Sequence, residues 1–282
     1  MPEGHTLHRL AGELRSSFIG RTVKASSPQG RFVDGAARID GARMLGAQAF
    51  GKHLLVEFGR TRTPLTLHVH LGLFGGFTVN GLARGERTPE PVGQVRLRLR
   101  APGAFADLRG PTACDLLDAD QVEALLARLG PDPLRCDADE GAAWRVVSRS
   151  ASSIAVLLMR QDVVAGVGNV YRAEVLFRQG IDPMTPGREL DRSSWRWIWR
   201  DLVRLMADGV ESGRIDTVRS RHLLHHTGRA ARQDRCGGEV YVYRRASMPC
   251  LVCGTVVLTS EVAGRNLFWC PTCQPEAISP RP

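Results

Sequence analysis

Two pairs of cysteines near the end of the chain constrain its fold more than any other feature. Cys250 and Cys253 form one C-x-x-C pair, and Cys270 and Cys273 form a second pair after sixteen intervening residues. Two thiolate pairs at this spacing close a tetrahedral Zn²⁺ site on two facing turns. Because four sulfur ligands leave no open coordination position, we expect one structural zinc that folds a β-hairpin and does no chemistry.

The residues between the two cysteine pairs include a candidate partner contact. Gly264-Arg265-Asn266 falls at the expected tip of the hairpin, where Arg265 would project toward a partner. An arginine at a hairpin tip is more commonly just solvated, and the sequence leaves both interpretations open.

Composition favours a cytosolic protein with a polyanionic partner. A length of 282 residues suggests two domains. No stretch approaches a membrane span and no signal-peptide pattern opens the chain, so we expect a cytoplasmic protein, near the nucleoid in a bacterium, without membrane contact. The net charge of +9 and the pI of about 9.8 point to nucleic acid. The scattered cysteines Cys114, Cys136 and Cys236 fit a reducing compartment.

The N-terminus offers an unusually reactive amine. Of the 38 basic residues only Lys24 and Lys52 are lysines, so the candidate amine nucleophiles are these two and the terminus itself. Removal of Met1 would expose Pro2, a secondary amine next to the carboxylate of Glu3. An α-amine titrates near pH 8 and a lysine near pH 10.4, so the terminus carries more free base at neutral pH. Pro2 could then act as a nucleophile with Glu3 as a proton shuttle, although Met-Pro-Glu also opens many ordinary proteins.

Hydrophobic periodicity divides the chain into a strand-rich part and a helix-rich part. Apolar residues at helical spacing predict an amphipathic helix over 5–18. Between about 21 and 117 the period changes to two, which favours a β-sandwich or barrel, and 120–129 is helical again. Further helices are predicted over 152–161, capped by Ser152 or Ser153, over 169–177, and from a cap at Ser193. The polar segment 213–235 is either a solvated loop or a loop that orders on nucleic acid.

A glycine-rich turn, Gly-Val-Gly-Asn, ends at Asn169 between two predicted helices. The glycines permit a tight turn, and the free amides at the start of the following helix can bind a phosphate. The side chain of Asn169 adds a neutral donor. Because no strand precedes the turn, a nucleotide-cofactor site is not indicated.

Five blocks of sequence together resemble the formamidopyrimidine-DNA glycosylase and endonuclease VIII family. They are Met-Pro-Glu-Gly at the terminus, Gly51-Lys52-His53-Leu54-Leu55, His70-Leu71-Gly72, the segment 164–177 with its glycine-rich turn, and the finger segment 264–274. The blocks occur in family order and span nearly the whole chain, so the joint match is highly specific.

The resemblance implies an α+β protein with an N-terminal β-sandwich and flanking helices. The C-terminal part would be a helical domain with a helix-two-turn-helix (H2TH) motif and a zinc-finger β-hairpin. The expected division is a catalytic domain over 1–130, a linker over 131–143, the H2TH domain over 144–244, the zinc finger over 245–276 and a tail over 277–282.

The resemblance also implies a base-excision repair enzyme, a DNA glycosylase with lyase activity at abasic (AP) sites. Pro2 would be the Schiff-base nucleophile at C1′ of the damaged nucleotide, and Glu3 the proton donor and acceptor. Lys52 would hold a phosphate beside the lesion and assist protonation. Asn169 and Arg265 would grip the DNA backbone at the flipped nucleotide. The expected partner is DNA with damaged bases or abasic sites, bound by a monomer.

Departures from the family pattern favour the endonuclease VIII branch. Leu73 and Phe74 match the leucine-aromatic wedge of that branch, and they are candidates to fill the void left by the flipped base; ordinary strand core is the alternative. Near Arg109 the other branch carries an Arg-Phe-Gly wedge, whereas this chain reads Leu-Arg-Gly-Pro. We therefore expect oxidised pyrimidines or abasic sites as substrates. The glutamate common at the sixth position of the family is Thr6 here, preceded by His5.

Two other functions compete with this interpretation. A non-catalytic protein on the same scaffold could bind damaged or single-stranded DNA without cutting it. A zinc-ribbon regulator of transcription would leave Pro2, Glu3 and Lys52 unexplained. Only the enzyme predicts a covalent intermediate through the terminus.

Overall fold

The chain divides into two compact units, Met1–Arg128 and Leu129–Pro282. The structure, a computed structural model, describes residues 2–59, 64–223 and 238–276. In the first unit the described elements are α1 (Gly4–Phe18), β1 (Lys24–Ser26), α2 (Val33–Ile39), β2 (Arg43–Phe50), β3 (His53–Gly59), β4 (Leu65–His70), β5 (Gly76–Gly81), β6 (Val95–Ala101), β7 (Ala104–Arg109), β8 (Ala113–Leu117) and α3 (Ala119–Leu126). In the second they are α4 (Glu140–Val147), α5 (Ile154–Leu157), α6 (Asn169–Gln179), α7 (Arg192–Ser212), β9 (Leu258–Val262) and β10 (Arg265–Trp269).

The first unit is built from two four-stranded antiparallel sheets that share one hydrophobic core. Their strand orders are β1-β6-β7-β5 and β2-β3-β4-β8. The inward side chains of both sheets meet in one cluster, as the alternating apolar residues predict. The predicted α+β class with an N-terminal sandwich is therefore confirmed. The period-two prediction for 21–117 missed α2, a helix of only seven residues.

Helix α1 lies on this core and fixes the beginning of the chain. Leu7, Leu10, Leu14 and Phe18 form its buried stripe, as their helical spacing predicts. Arg15 Nη1 also donates to the carbonyl of Ala47 on β2, at 2.6 Å. The N-terminal residues are thus carried by a rigid element.

The second unit is organised around α6, in which every residue from Asn169 to Phe177 is buried. Helix α7 packs against it, and Arg178 of α6 makes a two-pronged ion pair with Asp201 of α7, at 2.6 and 2.7 Å. Two predictions about helix ends are wrong here. The cap of α7 is Asp191, whose side chain accepts from the backbone amides of Ser193 and Ser194, and not Ser193. Helix α5 ends at Leu157 and does not continue to 161.

The carboxylate of Glu174 on α6 is completely buried and holds the segment that leads to the finger. It accepts hydrogen bonds from the backbone amides of Tyr241, Val242 and Tyr243, at 2.7, 2.8 and 2.9 Å, and from the hydroxyl of Thr217. Several donors that share one buried charge compensate its desolvation.

Within the described residues, no helix combines the length and the apolar character that a membrane span requires. Part of the polar segment 213–235, and the whole predicted tail 277–282, lie outside the described residues. The alternatives for that segment stay open, and the finer domain boundaries stay a prediction.

Candidate active site

Pro2 and Glu3 precede α1, with Glu3 at its N-cap position in an extended conformation. The carbonyl of Glu3 accepts from the amide of Thr6, at 2.9 Å, whereas its side chain makes no capping hydrogen bond. Glu3 is 0% exposed. A carboxyl group is therefore held inside the protein at the positive end of a helix, next to the residue that becomes the terminus when Met1 is removed.

The residues after Glu3 add no second acid to this end of the chain. Burial lowers the pKa of His5 to about 4, and the charge of His8 acts in the same direction. His5 is therefore neutral at neutral pH, with its Nε2 3.3 Å from the hydroxyl of Thr6. Glu3 is the only carboxylic residue among the first twelve.

Lys52 lies in the two-residue turn that joins β2 to β3. Gly51 makes this turn possible because its φ of +59° is costly for any residue with a side chain, and the pairing of Phe50 with His53 closes it. Lys52 is half-buried, whereas Lys24, the other lysine, is exposed. The turn thus presents one amine from a fixed position.

Three histidines on β3 and β4 lie beside Lys52. His53 Nδ1 is 2.9 Å from His68 Nε2, and the ring centroids of His53 and His70 are 5.0 Å apart. Burial lowers the pKa of His53 to about 4, and the neighbouring His68 and His70 act in the same direction. Burial also lowers the pKa of His70, and so does the charge of Lys52. Burial lowers the pKa of His68 as well, so these rings are neutral at neutral pH, and Lys52 and Arg128 are cations that act on the cluster.

The loop between β4 and β5, residues 71–75, carries Leu73 and Phe74. Their exposed fractions are 44% and 95%, so neither is the ordinary strand core considered above. A hydrogen bond from the amide of Gly75 to the carbonyl of Leu71, at 3.0 Å, closes the turn. We name residues 71–75 the wedge loop.

Arg109, near which the family resemblance places the Arg-Phe-Gly wedge of the formamidopyrimidine branch, is engaged inside its own sheet. Its guanidinium donates to Asp107, at 2.9 Å, and to the carbonyl of Val92, at 3.0 Å. Asp107 also receives two hydrogen bonds from buried Arg98, at 2.6 and 2.8 Å. In this conformation the side chain of Arg109 stabilises its own sheet and the loop that precedes β6.

In the second unit, Asn169 joins the start of α6 to the tip of the zinc-finger hairpin. Its Nδ2 donates to the carbonyl of Asn266, at 2.9 Å, and its Oδ1 accepts from buried Arg172. Arg172 also donates to that carbonyl, at 3.2 Å. Arg265, which precedes Asn266, is exposed at the start of β10, where the hairpin tip was predicted. Asn169 is 6% exposed, and one of its two amide hydrogens is already used to hold the finger through Asn266.

The four finger cysteines converge on one point. Their sulfur atoms all lie within 4.8 Å of one another, with Cys250 to Cys273 at 3.9 Å and Cys253 to Cys270 at 3.5 Å. A tetrahedral site with Zn–S bonds of about 2.3 Å has sulfur-to-sulfur edges of about 3.8 Å. The donor set therefore fits one zinc ion with no open position.

Comparison with known proteins agrees with this architecture. Residues 1–114 match the formamidopyrimidine-DNA glycosylase N-terminal domain, 129–220 its H2TH domain, and 248–275 the zinc finger found in FPG and IleRS. Endonuclease 8 1 of Mycobacterium tuberculosis is 48% identical over 274 residues, which cover 97% of this chain and 100% of that protein. The chain belongs to the formamidopyrimidine-DNA glycosylase and endonuclease VIII family.

Other members of the family share the same extent. The formamidopyrimidine-DNA glycosylase of Thermus thermophilus is 33% identical over 284 residues, covering 98% of this chain and 99% of that one. The crystal structure of the MutM (Fpg) protein from Thermus thermophilus superposes with a TM-score of 0.74 at 29% identity, over 98% and 100% of the two chains. With the finger match and the converging cysteines, the prediction of one structural zinc is confirmed.

The sequence analysis missed three polar side chains that hold elements of this chain in place. Arg172 and Glu174 are both 0% exposed on α6, and Thr112 contacts His70 across 42 positions of sequence. Arg172 and Glu174 carried a detectable signal, because two charges within the otherwise apolar run 170–177 must find buried partners when that run is buried. Thr112 carried none.

Proposed function

We propose that this protein is a bifunctional DNA glycosylase and AP lyase of base-excision repair, of the endonuclease VIII type. Its glycosylase and lyase class follows from family membership and from relatives that match along their full length. The observation that supports the mechanism is the fully buried carboxyl of Glu3 beside Pro2, on a helix packed against the core. The cytoplasm, where the chromosome of a bacterium lies, is the proposed location.

In the proposed reaction the secondary amine of Pro2 attacks C1′ of the damaged nucleotide. The C1′–N bond to the base breaks and the base leaves with a proton. The C1′–O4′ bond then breaks, O4′ takes up the proton that the amine of Pro2 loses, and an iminium forms between Pro2 and the opened sugar. The iminium acidifies the C2′ proton. Loss of that proton expels the 3′ phosphate by β-elimination, a second elimination expels the 5′ phosphate, and hydrolysis frees Pro2.

Glu3 and Lys52 are the proposed proton-handling groups. Glu3 is the one carboxyl near the amine in sequence, and its buried position at the start of α1 holds it beside Pro2, where a carboxyl group can both give and take protons. Lys52, half-buried among neutral histidines, supplies a fixed positive charge for the phosphate beside the lesion.

The proposed DNA contacts are made by residues of both units. Leu73 and Phe74 are the proposed fillers of the void, because an extruded base must be replaced in the stack. Arg265 is the proposed backbone contact, with Asn169 both positioning the finger tip and using its second amide hydrogen. The zinc keeps the finger folded and supplies no chemistry.

The engagement of Arg109 supports the choice of branch. An arginine held by Asp107 and by the carbonyl of Val92 is poorly placed to enter the duplex opposite the lesion. The 48% identity to an endonuclease 8, against 33% to a formamidopyrimidine-DNA glycosylase, points the same way. We therefore propose oxidised pyrimidines as the bases removed. The test compares excision of thymine glycol and of 8-oxoguanine from otherwise identical duplexes, and a clear preference for 8-oxoguanine contradicts the branch.

A non-catalytic DNA-binding protein is the alternative. An assay of strand cleavage distinguishes these two functions. It uses an oligonucleotide with one abasic site and compares protein with a processed terminus with protein that keeps an N-terminal tag. The enzyme predicts cleavage only by the processed form, since the tag converts the amine of Pro2 into an amide. Equal cleavage by both forms contradicts the role of Pro2, and no cleavage by either favours the alternative.

A further inference from the structure

The base of the wedge loop is fastened by one side chain from the connection between β7 and β8. Thr112 directs both its backbone amide and its hydroxyl to the carbonyl of His70, at 2.8 and 3.0 Å. The same hydroxyl oxygen lies 2.8 Å from His70 Nδ1. Thr112 thus contacts the last residue of β4 through its main chain and its side chain at once.

The hydrogen bonds of His70 select one tautomer of its ring. The amide of Gly72 donates to His70 Nδ1, at 3.1 Å. A backbone N–H needs a lone pair as its acceptor, so Nδ1 is unprotonated and the ring carries its proton on Nε2. The hydroxyl of Thr112 lies within hydrogen-bond distance of both Nδ1 and the carbonyl oxygen of His70, and its single proton is shared between these two acceptors. The first turn of the wedge loop is therefore tied to the ring, and the ring to Thr112.

Close packing places Thr112 against the backbone of the loop as well. Gly72 has a φ of +66°, and a Cβ there would lie 2.4 Å from the Thr112 methyl carbon. A Cβ at Gly75 would lie 2.9 Å from the carbonyl oxygen of Gly110. The connection at 110–112 therefore covers both ends of the wedge loop, and Leu73 and Phe74 stand between these two contacts.

From these contacts we infer that Thr112 is a positioning residue for base extrusion. Its hydroxyl holds His70 in the tautomer that accepts from Gly72, and so keeps the wedge loop in the conformation that presents Leu73 and Phe74 to the duplex. The inference rests on the proposed function, because it takes the wedge residues to enter the space left by the flipped base. A preformed loop loses less conformational freedom when it enters the duplex, and this lowers the free energy of extrusion.

The test uses Thr112→Val, which keeps the branched shape and removes the hydroxyl. A methyl carbon cannot approach Nδ1 to 2.8 Å, so the ring and the attached loop must shift. We expect kcat/KM for excision from a duplex to fall about tenfold, the effect of one lost hydrogen bond that fixes a reactive geometry. Cleavage of a single-stranded abasic oligonucleotide should stay within about twofold of wild type, because no base has to leave a stack there.

Thr112→Ser is the matched control, since it keeps the hydroxyl and should restore duplex excision to within about threefold of wild type. Equal losses on duplex and single-stranded substrates would indicate general destabilisation and overturn the inference. An unchanged rate of duplex excision by Thr112→Val would also overturn the inference.

Phe74→Ala tests the wedge assignment separately from the proposed function. If it excises from duplex as well as wild type, the wedge assignment fails, whereas wild-type protein that cleaves no abasic site contradicts the proposed function itself.

A spectroscopic readout that needs no DNA completes the test. In ¹⁵N-histidine-labelled protein, long-range ¹H–¹⁵N spectra distinguish the two neutral tautomers of a ring. We expect His70 to show the Nε2–H form in the wild type and in Thr112→Ser, and a mixture of forms in Thr112→Val. An Nδ1–H form in the wild type contradicts the positioning role.

Discussion

At the scale of single residues, α1 and its N-cap position hold two glutamates in opposite environments. Glu3 is completely buried at the N-terminus of the helix, whereas Glu13 lies on its solvent face and pairs with Arg9 at 3.0 Å. The same substitution at the two positions therefore separates a specific role from a general effect of lost charge.

We expect Glu3→Gln to lower single-turnover excision by at least about 100-fold, because general acid–base catalysis contributes on the order of 10²–10⁴ in rate. Affinity for lesion-containing DNA should change little, since the uncharged amide has nearly the same shape. Glu13→Gln should excise like wild type, because an exposed pair contributes little. Undiminished excision by Glu3→Gln would remove Glu3 from the mechanism.

A glutamate-to-glutamine substitution also tests the buried hydrogen-bond network around Glu174 in the second unit. Its carboxylate accepts four buried hydrogen bonds, and an amide at that place would turn an N–H group toward backbone N–H groups. We expect Glu174→Gln to lower the free energy of unfolding of this unit by about 3 kcal/mol. Denaturant titration measures the change, with exposed Glu261→Gln as the control. A loss no larger than that of the control contradicts the assigned network.

At the scale of elements, the zinc finger is attached to α6 near both ends of that helix. The carbonyl of Asn266 receives the side chains of Asn169 and Arg172 near the hairpin tip. At the cysteine end, buried Gln274 donates to the carbonyl of Ile181, at 2.9 Å, and accepts from the amide of Cys270, at 3.0 Å. The metal therefore stabilises the hairpin, and the hairpin tip places Arg265.

Removal of zinc by a strong chelator should unfold the hairpin and weaken DNA binding at least tenfold, roughly the scale of a lost anchoring contact, because metal binding and folding are coupled in such fingers. Hydrogen exchange should rise in β9 and β10 while the sheets of the first unit keep their protection. Restored zinc should restore both. Full affinity in the verified zinc-free protein contradicts the part assigned to the finger.

The elements that could be predicted are those with a long local pattern. Helix α1 has a complete apolar stripe, and the finger hairpin is fixed by cysteine spacing. Helix α2 was missed because seven residues give too short a period to distinguish. The cap of α7 was misplaced by two residues, because Asp191 and Ser193 are both good caps and only the folded backbone decides between them.

At the scale of the whole molecule, the net charge of +9 predicts electrostatic attraction to DNA, and only some of the arginines contribute to specific contacts. Arg265 is exposed at the hairpin tip. Arg200 is exposed on α7, stacked over Trp197 at 5.4 Å. Removal of either changes the total charge by the same amount.

We expect Arg265→Ala to reduce the slope of log Kobs against log salt by about one, since one phosphate contact is lost. Arg200→Ala should leave the slope nearly unchanged. Fluorescence anisotropy with one abasic-site duplex at several salt concentrations measures both. Equal slopes for the two variants would mean that only overall charge matters, and would contradict the assigned contact.

The candidate site could be predicted where it depends on chemistry carried by adjacent residues. The sequence itself shows Pro2 beside Glu3, Lys52 as one of only two lysines, and the four finger cysteines. The contact of Thr112 with His70 depends on strand register, because β4 pairs with β8 and places Ala113 opposite His70. Such long-range pairings are fixed by the folded sheets and leave no local trace.

The central claim is that the amine of Pro2 forms a Schiff base with the damaged sugar. Borohydride reduces such an imine to a stable amine, so the most direct measurement is trapping of untagged protein on an oligonucleotide with one abasic site, followed by peptide mapping of the adduct. The account predicts a covalent adduct on the N-terminal peptide, at Pro2. An adduct at Lys52 or Lys24, or no adduct under conditions of salt-sensitive binding, would contradict it.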